Sequence, residues 1–176
     1  LADLTDLQQA YSLYVLALAG SPEIGAMNRL KESANLSDQA KWMLASAYAL
    51  SGKKSIAKDM MTDISTDISS YPEDDRTFGS IPRDKALALE AYVLAGETAK
   101  ALDVADQVAE LIDLYGYTTQ TTAFASVALD RLSQTVSSQG LQVEISQETT
   151  TSGKTAKSLY SCSLDADYGK AGIRNL

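Results

Sequence analysis

Ala91-Tyr92-Val93-Leu94-Ala95-Gly96, with Ala101 five residues beyond the glycine, is the stretch on which the fold turns. An apolar run ending in glycine predicts a helix that stops there, because glycine takes the left-handed conformation without a Cβ penalty. A small residue one turn further on lets the returning helix approach closely. The same pattern stands at Ala47-Tyr48-Ala49-Leu50-Ser51-Gly52 with Ala57, and at Val15-Leu16-Ala17-Leu18-Ala19-Gly20, which leads likewise to small Gly25. The expectation is three tight antiparallel helical hairpins. Glycines at positions 20, 52 and 96 place the junctions 32 and then 44 residues apart. The first interval is close to the ~34-residue period of tetratricopeptide units. The second is longer, and a polar insertion accounts for it. Stacked hairpins of this kind form either an open solenoid or a closed ring, and the periodicity is compatible with both.

Working outward, alanine and leucine recur at helical spacing through most of the first 132 residues. Leu7, Ala10, Tyr11, Tyr14, Val15 and Leu18 predict one buried face of a first helix. Pro22 suits the first turn of a second helix that carries Ile24, Met27 and Leu30. Ser37 is placed to cap a third from Asp38 to Ser51, and a fourth runs from about Lys53 to Ile64. A polar connection over roughly Thr66–Ser80 holds Pro72 and Glu73-Asp74-Asp75. Ser80 then caps, and Pro82 opens, a fifth helix ending at Gly96. A sixth spans Thr98 to Leu114. After Gly116, Thr118 or Thr119 starts a seventh with Ala123, Val127, Leu129 and Leu132. Past Gly140 the period changes: Leu141, Val143 and Ile145 alternate with polar residues, which predicts a half-buried strand. Thr149 to Gly153 reads as a turn and Ala156 to Leu164 as a second strand, with the boundary in Ser133–Gly140. Two strands do not fold alone in water, so this tail leans on the helices or begins another domain.

Composition narrows the function. With 15 Lys and Arg against 23 Asp and Glu, the net charge of -8 disfavours nucleic acid, whose phosphates need clustered cations. The chain has no His. That removes the commonest general base and metal ligand, and with them any Ser-His or Cys-His pair. The single Cys, Cys162, closes no internal disulfide and builds no thiolate metal site; it reads as a small buried hydrophobe. No run approaches the ~18 apolar residues of a membrane span, so this segment is not expected to insert directly. The opening Leu1-Ala2-Asp3-Leu4-Thr5-Asp6 lacks a signal-type core, as expected of a segment excised from a longer protein with its targeting signal elsewhere.

Each candidate site has a simpler explanation. Asp165-Ala166-Asp167-Tyr168-Gly169 lacks the third acid and distant Glu of a calcium loop and reads as a turn. Gly52-Lys53-Lys54-Ser55 lacks the upstream glycine and preceding strand of a phosphate loop. Arg83-Asp84-Lys85 places an acid in a first helical turn, where it complements the dipole. Glu73-Asp74-Asp75 reads as a solvated loop. Trp42, with Met43, Leu44 and Tyr48, reads as core. Thr118-Thr119-Gln120-Thr121-Thr122 reads as a structural cap. No catalytic, cofactor-binding or metal-binding residue is assigned, and no cofactor is expected.

Three segments together are more specific. Gln9-Ala10-Tyr11-Ser12-Leu13-Tyr14-Val15-Leu16-Ala17-Leu18-Ala19-Gly20, running on to Gly25-Ala26-Met27-Asn28-Arg29-Leu30, resembles bacterial alpha-2-macroglobulins. So does Leu36-Ser37-Asp38-Gln39-Ala40-Lys41-Trp42 with Ala47-Tyr48-Ala49-Leu50-Ser51-Gly52-Lys53-Lys54. Arg83-Asp84-Lys85-Ala86 and Tyr117-Thr118-Thr119-Gln120-Thr121-Thr122-Ala123-Phe124-Ala125 then follow in the family's order. The likeness covers about Gln9 to Leu132 and is looser in the tail, where the family passes into a β-sandwich. It implies a mainly α fold of antiparallel hairpins. Residues 1–135 would form part of the thioester-type α/α toroid, and 136–176 the first strands of a following β-sandwich-like domain. It also implies a non-catalytic structural module of an exported, periplasmic or envelope-associated protein that traps proteases in host defence. Implied partners are other domains of the parent chain and the trapped proteases. The family's Cys-Gly-Glu-Gln thioester motif is missing, and Cys162, followed by Ser163-Leu164-Asp165, does not replace it. No reactive residue carries over.

Two other readings compete. A tetratricopeptide-like scaffold binding a peptide or protein would explain the Ala-Tyr-x-x-x-Gly pattern. An α/α-barrel enzyme would need acids gathered at the ring mouth, whereas the acids here fall mostly on predicted outer faces.

Overall fold

The computed structural model describes residues 4–33, 36–68, 79–115, 118–137, 141–151 and 154–164, the last two stretches as backbone. The described part is mainly helical and divides into two units, Leu1–Leu132 and Ser133–Leu176. The helices are α1 (Asp6–Leu18), α2 (Ile24–Lys31), α3 (Asp38–Leu50), α4 (Lys54–Met60), α5 (Ile81–Ala95), α6 (Thr98–Tyr115) and α7 (Thr119–Ser137).

All three junction glycines adopt the left-handed conformation, with φ of 75°, 76° and 80° at Gly20, Gly52 and Gly96. Each closes the same pair of hydrogen bonds. Ser21 N donates to Leu16 O, Lys53 N to Tyr48 O and Glu97 N to Tyr92 O, at 2.9, 2.8 and 2.9 Å. The glycine amides donate to Ala17, Ala49 and Val93 carbonyls. These are Schellman ends, which satisfy carbonyls that a helix terminus would leave bare. Ala57 and Ala101 beyond the second and third glycines are fully buried. Gly25 differs. It lies exposed on α2, and a Cβ there would meet only Arg29 Nη1 at 3.6 Å, so no close approach requires a small residue.

Ser37 and Ser80 cap α3 and α5, accepting from the amides of Ala40 and Arg83. Pro22 stands ahead of α2, whose N-cap is Glu23, and not in its first turn. α4 ends at Met60, short of Ile64, although Met61 and Ile64 are both buried beyond it.

Helices α1, α3 and α5 form a row. α1 packs on α3 and α3 on α5, while α2 lies against α1 and α3, α4 against α3 and α5, and α6 against α5. The core is therefore centred on α3 and α5. Every residue from Pro82 to Val93 is buried, as are all from Trp42 to Ala49. Alanine makes this possible: Ala45, Ala47, Ala86, Ala88 and Ala91 show no or almost no exposure and let neighbouring helices close in. Trp42 fills the space between α3 and α5, its ring meeting that of Tyr92 edge-on at 5.2 Å.

In the second unit, β1 (Leu141–Thr151) pairs antiparallel with β2 (Lys154–Leu164), with Val143 opposite Cys162. The ladder includes Thr149, Thr150 and Thr151, which the sequence reading placed in a turn. The Cys162 side chain, Glu73-Asp74-Asp75, Gly116-Tyr117 and Asp165–Gly169 lie outside the described residues.

Candidate functional site

α1 and α7 each bury only part of the apolar face their pattern predicts, Ala10 and Tyr14 on α1 and Leu132 on α7. On α1 the buried residues are Ala10, Leu13, Tyr14 and Ala17, whereas Tyr11, Val15 and Leu18 are exposed by 48%, 42% and 43%. On α7, Thr121, Ala125, Ala128 and Leu132 are buried, while Ala123, Val127 and Leu129 are exposed. Each helix thus leaves several apolar side chains uncovered.

Most of those left-over side chains meet across one cavity of about 850 Å³. Leu7, Tyr11, Val15 and Leu18 of α1 form one wall, and Ala123, Phe124 and Val127 of α7 another. Met43 of α3 and Leu87 of α5 complete its apolar lining. The size is that of a ligand or side-chain pocket, and such sites carry a few convergent polar groups among apolar walls.

Glu90, Tyr14 and Arg131 are among those groups here, with Gln8, Ser12, Arg83 and Gln120 also lining the space. Glu90 is only 2% exposed. Tyr14 Oη donates to Glu90 Oε1 at 2.6 Å, and Arg131 Nε lies 3.1 Å from the same oxygen. One carboxylate thus ties α1 and α7 to the central helix. Burial pushes the Glu90 carboxyl above the usual range, while Tyr14 and Arg131 pull it back. Burial, and then the Glu90 charge, push the Tyr14 phenol well up.

The Arg83-Asp84-Lys85 run lies in the first turn of α5 with Asp84 as its acid, as the sequence predicts. Ser80 does the capping, and all three side chains are buried. Arg83 Nε donates to Asp84 Oδ1 at 2.7 Å and Gln39 Nε2 to Asp84 Oδ2 at 2.8 Å, while Lys85 Nζ donates to Gln107 Oε1. Burial lowers the Lys85 pKa. Two acids, Asp84 and Glu90, are buried, each beside an arginine. The expected cap at Thr118 is present: its Oγ1 accepts from Thr121 N at 3.1 Å. Thr121 Oγ1 also lies 3.2 Å from Ser80 Oγ, joining the starts of α5 and α7.

No family model, no curated protein and no solved structure matches the chain.

The cavity and its floor were missed from sequence because the size of the apolar residues on α1 and α7 argued for burial. One signal did point to it: Glu90 is a charge inside Ala86-Leu87-Ala88-Leu89-Glu90-Ala91-Tyr92, a run apolar on every helical face. Among the described residues, no group of three or more His, Cys, Asp or Glu side chains gathers as a metal site. No described helix is long and apolar enough to cross a membrane.

Proposed function

We propose that this chain is a non-catalytic structural module of an exported, alpha-2-macroglobulin-like protein that traps proteases. Its odd-numbered helices would be the inner helices of an α/α toroid that further helices of the parent close. The observation that carries this reading is the pair of apolar walls on α1 and α7, which face one cavity and leave Tyr11, Val15, Leu18 and Val127 exposed. Self-contained helical units seldom leave such opposed apolar surface uncovered.

The repeat supports it independently. Tyr48 and Tyr92 occupy the same junction position, and each reaches the hairpin before its own: Tyr48 Oη donates to Asn28 Oδ1 at 2.7 Å, and Tyr92 meets Trp42. The equivalent residue of α1, Leu16, is 39% exposed. A preceding hairpin is what it lacks. The role is mechanical on this reading: polar groups around the cavity hold helices together, and the ring moves as a body when bait cleavage rearranges the parent. The strands after α7 would open the next domain, and the parent would be periplasmic or envelope-associated.

The test is a trapping assay on the parent protein. Incubated with a broad-specificity protease, it should block digestion of a large protein substrate while sparing hydrolysis of a small peptide substrate. Loss of both activities, or of neither, overturns the proposal. A tetratricopeptide-like scaffold is the second reading, favoured by the same cavity as a peptide groove. It predicts that equal hairpins continue as an open superhelix.

A further inference from the structure

We draw no further inference here: the strongest candidate, the cavity walled by the apolar side chains of α1 and α7, is a surface for which nothing in the structure shows what covers it.

Discussion

At Gly96 the backbone sits at φ +80°, and no heavy atom lies within 4 Å of where a Cβ would stand. Gly96→Val therefore probes backbone conformation without steric crowding. It should cost about 1–2 kcal/mol and lower the melting temperature by about 4–8 °C. An unchanged melting curve would count against the Schellman end. Gly25→Ala should do the opposite, raising stability by about 0.5–1 kcal/mol, because Gly25 is an exposed helical position with room for a methyl group. The left-handed glycines were legible in the sequence because an apolar run ending in glycine has few other uses. The false reading of Gly25 came from extending the spacing rule to a junction whose return helix is exposed at that point. Tyrosines carry a prediction too. Burial raises the phenol pKa of Tyr14, Tyr48 and Tyr92 above the ordinary 10.0. The folded state keeps these protons where the unfolded state sheds them, so their contribution is complete below pH ~10 and declines as pH rises beyond it. Urea titrations at pH 9 and 11 should show the midpoint falling, and Tyr14→Phe should reduce that fall. A midpoint that rises over this interval would contradict the assignment.

Among the elements, α5 and α7 define the extremes. α5 is enclosed on every side, and its alanines hold neighbours at close range. Ala88→Leu should therefore destabilise the fold by about 1–3 kcal/mol through overpacking, readable by chemical denaturation. Val15→Asp and Val127→Asp, on the cavity walls, should each change stability by no more than about 0.5 kcal/mol, since both side chains already meet solvent. A large loss at either wall position would mean that the cavity is closed by this chain itself. The helices and their caps were readable: Ser37, Ser80 and Thr118 each accept the amide bond their positions imply. The facing of α1 and α7 was so only in part. A periodic stripe locates a helix's apolar side and assumes that the whole side has a neighbour; here only part of each stripe is covered. Pro22 shows a related limit, for proline fits both a first turn and the linker ahead of it.

At the scale of the whole molecule, side chains of α1, α5 and α7 meet at Glu90. Protease entrapment requires the bait and the remaining domains, so this chain titrated alone against several proteases should leave their activity unchanged. Stoichiometric inhibition would make it an inhibitor in its own right. The mainly α fold was legible from spacing and glycine placement alone. Between ring and solenoid the sequence is neutral, because both use the same hairpin and differ only in the small angle between successive pairs. The measurement that bears most directly on the central claim is a structure of the entire parent protein at side-chain resolution. It should place further helices of the same polypeptide between α1 and α7, burying Tyr11, Val15, Leu18 and Val127. Those four side chains still in water, with hairpins continuing outward in an open stack, would contradict it.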